Sequence, residues 1–229
     1  MTTALKLVMF DLDGTLIETA PEIADAVNDT LSYLGLRLVT LQQVNDWIGH
    51  GTHTLLVSAL ADAMQTSTEA IHAWDGLPNA SRVFNGFYQH RCGTRSHLYP
   101  HVRSVLTKLA QHGVRLAVVT NKEGRFTQTV LKAHAMQDTF DIVISGDTLP
   151  TKKPNPAGIQ HCLDRFGLKS EEAIFIGDSS IDAATAKNAG VRVWLLPYGY
   201  NMGESVQASH PDRVILDFLP ILSLLEQAS

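Results

Sequence analysis

The run Leu7-Val8-Met9-Phe10 leads without a break into Asp11-Leu12-Asp13-Gly14-Thr15. An apolar run of strand length followed at once by acidic residues and a glycine predicts a strand buried on both faces, with a polar carboxyl end. Carboxylates at i and i+2 share one side of an extended chain, and Gly14 lets the backbone turn so that Asp11 and Asp13 face one small pocket. One can then attack as a nucleophile while the other, as a carboxylic acid, manages protons. A solvated turn organised by the two Asp side chains would use the same residues. A calcium-binding loop fails, although Asp11, Asp13 and Glu22 fall at its first, third and twelfth positions. Its sixth position, where the turn needs glycine, is Leu16, and a strand precedes it where a helix is required.

Working outward, apolar runs recur at Val114–Thr120, Ile142–Ser145, Ala173–Ile176 and Val191–Leu196, with helix-like stretches between most of them. This alternation predicts an α/β fold, a Rossmann-like parallel sheet covered by helices. The polar residues Thr120–Asn121, Gly146–Asp147 and Gly177–Asp178 follow these runs directly, where open α/β sheets bind ligands. About a hundred residues separate the first strand from the second, far more than one crossover needs. Helical periodicity in Ile23, Val27, Leu31 and Leu34, and in Leu55, Leu56, Ala59 and Leu60, predicts a helical insert. Pro21 suits the first turn of its first helix, and Gly35 suits its stop. The expected division is therefore a core of residues 1–17 and 98–229 with a helical cap of residues 18–97.

The chain has 229 residues, 45% hydrophobic and 18% charged, values of an ordinary globular protein. Its formal net charge of -5 removes the basic footprint of nonspecific nucleic-acid binding but permits a small anionic ligand in a locally positive pocket. The two cysteines, Cys92 and Cys162, lack metal-type spacing and read as free thiols of a reducing compartment. Met1 to Phe10 contains no signal-peptide apolar region, and no later run reaches membrane-spanning length, so a cytoplasmic location without membrane association is expected.

Three more constellations carry chemistry. Thr120 and Asn121, a hydroxyl and an amide at a strand end, can donate to phosphoryl oxygens, although Thr-Asn also commonly ends a strand. In Lys152-Lys153-Pro154-Asn155-Pro156 the prolines stiffen the backbone ahead of a helix, so that an ammonium is held in place. In Gly177-Asp178-Ser179-Ser180-Ile181-Asp182 the two aspartates lie four apart at a helix start. Hard oxygen ligands of this kind suit Mg²⁺. Helix capping by Asp178 or Ser179, and dipole complementation by Asp182, would explain the same residues without a metal.

In order and position these motifs resemble the four motifs of the haloacid dehalogenase superfamily of phosphatases. Asp11-Leu12-Asp13-Gly14-Thr15 is similar to the first, Thr120-Asn121 to the second, Lys153 to the third, and Gly177-Asp178-Ser179 with Asp182 to the fourth. The resemblance implies that Asp11 is nucleophile and metal ligand, with an aspartyl-phosphate formed on it. It makes Asp13 the acid/base and a ligand through its carbonyl, Asp178 the third ligand of Mg²⁺, and Ser179 and Asp182 their support. It assigns Thr120, Asn121 and Lys153 to the phosphoryl group and the helical insert to a closing cap. Dehalogenases that attack carbon lack the second aspartate, so Asp13 argues for phosphate chemistry. Phosphonoacetaldehyde hydrolases need a cap lysine, and no lysine occurs between Lys6 and Lys108.

Beyond the motifs, Trp47-Ile48-Gly49-His50-Gly51, His97-Leu98-Tyr99-Pro100 and Pro197-Tyr198-Gly199-Tyr200-Asn201 are similar to bacterial phosphoglycolate phosphatases. The implied reaction is hydrolysis of 2-phosphoglycolate by a monomer or homodimer. A carboxylated substrate calls for donors from the cap, for which Gly49, His50 and Gly51 are candidates, as are the four cap arginines Arg37, Arg82, Arg91 and Arg95. A helix-connecting turn is the alternative for the glycine loop. Two other functions stand beside this one: a phosphatase of the same superfamily acting on a nucleotide, sugar phosphate or pyrophosphate, and a noncatalytic phosphate or metal sensor.

Overall fold

A computed structural model describes residues 4–226, so both outer ends of the expected core segments, and the first residues of the stretch from Met1 to Phe10, lie outside the described residues. The chain begins with β1 (Leu7–Phe10) and β2 (Ile17–Glu18). The helices α1 (Ala20–Tyr33), α2 (Leu41–Trp47), α3 (Thr52–Met64), α4 (Thr68–His72) and α5 (Leu77–Arg91) follow. It continues through β3 (His97–Leu98), α6 (Val102–Gln111), β4 (Arg115–Val119), α7 (Gly124–Ala133), β5 (Ile142–Ile144) and α8 (Ala157–Phe166). The last elements are β6 (Ala173–Gly177), α9 (Ser180–Asn188), β7 (Arg192–Leu195), β8 (Arg213–Val214) and α10 (Ser223–Glu226).

Six strands form one sheet in the order β5-β4-β1-β6-β7-β8, and every neighbouring pair is parallel, as the apolar runs predict. All four residues of β1 are buried, as expected of a central strand covered on both faces. Alternation sends Val8 and Phe10 to a layer that includes α6 and α7, and Leu7 and Met9 to a layer with α8 and α9. After β1 the chain crosses to β4 and β5 on one side, then returns to β6 on the other. The carboxyl end of β1 therefore lies at the point where strand order reverses, the crevice that open α/β sheets use for ligands.

The insert is helical over α1 to α5. In α1, Pro21 stands in the first turn and Ile23, Val27 and Leu31 are buried at i, i+4 and i+8. Thr40 and Gln43 form a reciprocal capping box at the start of α2. Helices α1 and α5 pack together, and the Glu22 carboxylate of α1 binds the chain leaving α5: its Oε2 accepts the N–H groups of Gly93, Arg95 and Ser96 at 2.9, 3.2 and 3.1 Å. The two short strands β2 and β3, where the chain enters and leaves the helical block, pair antiparallel. No helix among the described residues is long and apolar enough to cross a membrane.

Candidate active site

The polar ends of β1, β4 and β6 converge. Gly14, at φ 83°, turns the chain directly after Asp13, and a Cβ there would lie 2.4 Å from Asp178 Oδ2. Gly199 leaves the same kind of room on the other side, at 2.1 Å. Two glycines thus vacate the space that the Asp178 carboxylate occupies. Thr15 donates to its Oδ1 at 2.5 Å and the Tyr200 N–H to its Oδ2 at 2.6 Å. Tyr200 also serves the start of α1, because its phenol oxygen accepts the N–H groups of Thr19 and Ala20 at 3.1 and 3.0 Å. Those amides lack a side-chain cap of their own, so a distant residue satisfies them.

Lys153 and Asp182 sit one layer deeper. The Lys153 ammonium is 2.8 Å from Asp11 Oδ1 and 2.7 Å from Asp182 Oδ1. The other oxygen of Asp182 accepts the N–H groups of Asp178 and Ser179 and the Ser179 hydroxyl, at 3.0, 3.1 and 2.8 Å. Ser179 caps α9 in return. Asp182 is thereby spent on capping and on Lys153, which leaves Asp11 and Asp178, together with Asp13, as the carboxylates lining the cavity.

Asp11, Asp178 and Asp182 each bring an oxygen within 4.8 Å of the others, against the single ammonium of Lys153. Burial pushes Asp11 up to about 6; Lys153 opposes the shift, and Asp182 and Asp13 add to it. Burial, then Asp182 and Asp11, holds Asp178 well above the usual carboxylate range. A pocket of hard oxygen donors so short of positive charge fits a bound metal cation.

Asp13 is held from two sides. Thr19 Oγ1 donates to its Oδ1 at 2.7 Å, and the Lys122 ammonium lies 3.0 and 3.1 Å from its two oxygens. Lys122 is buried and also donates to the hydroxyl of Tyr88 in α5. Burial works against this ammonium, but the Asp13 carboxylate, together with Cys92 and Glu22, outweighs it, so Lys122 titrates above the ordinary lysine value.

Thr120 and Asn121 lie at the end of β4 and both line the cavity. The Asn121 side chain is committed to backbone: its amide donates to Gly49 O at 2.9 Å and Lys153 O at 3.1 Å, and its oxygen accepts Lys153 N–H at 2.8 Å. It ties the lysine loop to the helical block. Gly49 and Gly51 line the cavity while His50 is exposed and does not. Gly51, at φ 91°, brings a Cβ position to 3.1 Å from Asn121 O, a close approach that favours glycine. Thr52, the first residue of α3, donates to Glu123 Oε1 at 2.8 Å. Asp147, after β5, accepts the Gly124 N–H at the start of α7 and stays out of the cavity.

The four arginines of the helical block are engaged elsewhere. Arg37 pairs with Asp62, Arg91 with Asp29 and Arg95 with Asp25, and Arg82 donates to Asn79. Lys122 and Tyr88 belong to none of the sequence motifs. The signals were present: Lys122 follows Thr120-Asn121 directly, and Tyr88 completes the buried series Ala80, Phe84, Tyr88 at helical spacing.

The family model described as haloacid dehalogenase-like hydrolase matches residues 8–196. The chain is 38% identical to a phosphoglycolate phosphatase of Nitrosococcus oceani, over 98% of each chain. It is also 38% identical to one of Vibrio parahaemolyticus, over 92% of this chain and 91% of that one. A crystal structure of a predicted phosphoglycolate phosphatase from Haemophilus somnus superposes with a TM-score of 0.91 at 35% identity, covering 98% of this chain and 99% of the other.

Proposed function

The chain belongs to the haloacid dehalogenase-like hydrolase family, and on that premise we propose that it hydrolyses 2-phosphoglycolate to glycolate and phosphate. The observation that carries this reading is 38% identity, across almost the whole chain, to a relative named for that reaction. The juxtaposition of Asp11, Lys153 and the Lys122-held Asp13 supports it chemically.

In the first step an oxygen of Asp11 attacks phosphorus, the ester P–O bond breaks, and Asp13 as a carboxylic acid gives its proton to the departing alkoxide. Lys153 keeps Asp11 ionised and in place despite burial. In the second step Asp13, now a carboxylate, takes a proton from water as that water attacks phosphorus, and Asp11 is released with inorganic phosphate. Thr120 and backbone amides at the cavity wall are the donors for phosphoryl oxygens. We assign Mg²⁺ to the Asp11 and Asp178 carboxylates and the Asp13 carbonyl, with Ser179 and Asp182 fixing Asp178. When bound, the ion offsets the charge of the carboxylates and the phosphoryl group.

Residues 18–97 serve in this reading as a cap over a core of residues 1–17 and 98–229, closing to exclude water. The run of helices α1 to α5, entered and left through the paired strands β2 and β3, supports that division, and Thr52 to Glu123 and Asn121 to Gly49 are contacts across it. Both buried cysteines are free, as suits a cytoplasmic protein.

The test is a comparison of kcat/KM for 2-phosphoglycolate, nucleotide monophosphates, sugar phosphates and pyrophosphate, each with Mg²⁺ and with chelator. Phosphoglycolate should lead and turnover should vanish without divalent metal. A higher value for another class would replace the substrate; full turnover in chelator would remove the metal.

A further inference from the structure

Lys122 is the one cation among the described residues that lines the cavity. Lys153 lies behind Asp11, bound between it and Asp182. Lys152 stands beside Gly51 but is exposed and off the cavity wall. The cap supplies no lysine, and its arginines are bound to Asp25, Asp29, Asp62 and Asn79.

The position of Lys122 follows from Asp13. A general acid must come within hydrogen-bond reach of the leaving oxygen, and Lys122 Nζ is within hydrogen-bond reach of Asp13 already, at 3.0 Å. Any group carried a bond or two beyond the leaving oxygen is therefore delivered to the neighbourhood of this ammonium. In glycolate that group is the carboxylate. Lysine has three N–H donors: one, forked between the two Asp13 oxygens at 3.0 and 3.1 Å, and a second on the Tyr88 hydroxyl hold it from the core and from α5, which leaves a third. The Tyr88 ring is itself packed on Phe126 at 4.4 Å, so the hydroxyl that steadies Lys122 is fixed.

Resting on the phosphoglycolate reading, we propose that Lys122 determines specificity: its remaining donor binds the carboxylate of the leaving group while the same ammonium orients Asp13. A cation here selects esters whose phosphate-bearing carbon also carries an anion. It does so from the core, with α5 acting as its support.

The test compares 2-phosphoglycolate with ethyl phosphate, which lacks the carboxylate, on the intact Mg²⁺-loaded enzyme and on Lys122→Met. The ratio of their kcat/KM values should fall about ten- to hundredfold in the variant, the effect of one charge-assisted hydrogen bond, mainly through a higher KM for phosphoglycolate. An unchanged ratio, with kcat lowered equally for both esters, would mean that Lys122 only positions Asp13 and would overturn the inference. A wild type without preference for phosphoglycolate would remove the substrate reading and the inference together; a preference that Lys122→Met retains removes the inference alone. Should Lys122→Met not fold, as seen by circular dichroism, Tyr88→Phe takes its place. It loosens the lysine without removing charge, and the ratio should fall by about threefold or more; no fall would overturn the inference.

Discussion

Asp182 and Lys153 meet at 2.7 Å in a layer beneath the cavity, both nearly inaccessible to solvent. Each is the other's charge partner, and each also holds a cavity carboxylate: Lys153 holds Asp11 by its charge, and Asp182 holds Asp178 by its backbone. Removing Asp182 leaves Lys153 to Asp11 alone and takes the acceptor from the buried N–H groups of Asp178 and Ser179 and from the Ser179 hydroxyl. Asp182→Ala should destabilise the protein by about 3–5 kcal/mol, read as a lower urea midpoint. Activity should fall in the fraction that remains folded.

For the chemistry itself, Asp11→Asn should abolish turnover, because the amide is no nucleophile toward phosphorus. Asp13→Ala should lower kcat by about a hundredfold or more while the fold survives. Single-turnover mixing with a phosphatase substrate and acid-quench detection of phosphoenzyme separates the two: only the second variant can form it. Substantial turnover by Asp11→Asn would end the aspartyl-phosphate mechanism.

A methyl group placed on Gly199 would stand 2.1 Å from Asp178 Oδ2, without any demand from the backbone angle. Gly199→Ala should therefore displace the carboxylate and weaken divalent-metal activation by about 10–100-fold. Titrating activity with Mg²⁺ checks this, and an unaltered half-saturation would show that Asp178 is not a ligand.

His134, partly buried where α7 ends, is bonded to Ser96 at 2.9 Å, and its pKa is lowered from 6.5 by burial, then by Arg103 and His97. The unfolded chain thus binds more protons than the folded one just below pH 6.5, so stability rises with pH through that window and is lost as pH falls. Denaturant midpoints measured from pH 7 to pH 5 should decline, and His134→Gln should flatten the decline.

The sheet and the core of the site were legible from the amino-acid order because both rest on local signals. Leu7–Phe10 announces a doubly buried strand, and its neighbours in the sheet announce themselves likewise. Asp11, Thr120, Lys153 and Asp178 then fall at strand ends or the loops beside them. What stayed hidden depends on pairings far apart in sequence. Arg37, Arg91 and Arg95 looked available for substrate because their acidic partners lie on helices elsewhere in the chain, while Arg82 turns to Asn79 within its own helix. Lys122 stood outside every motif because only the fold places Asp13 and Tyr88 against it. Asn121 offered an amide whose partners, Gly49 and Lys153, no spacing rule connects.

Glu22 carries one more implication, for ancestry and for protein engineering. A single carboxylate oxygen, set two residues inside the first helix, gathers the amides of Gly93, Arg95 and Ser96. The two places where the chain passes between sheet and helices are thus stitched together from within the inserted segment. Between the stitches, changes of length that spare the contacts of Gly49, Thr52 and Tyr88 should leave the registration of the sheet undisturbed. A chimera that joins this sheet to another protein's helices should keep Glu22 with its three amides and make its splice inside them, a boundary drawn by hydrogen bonding more than by helix count.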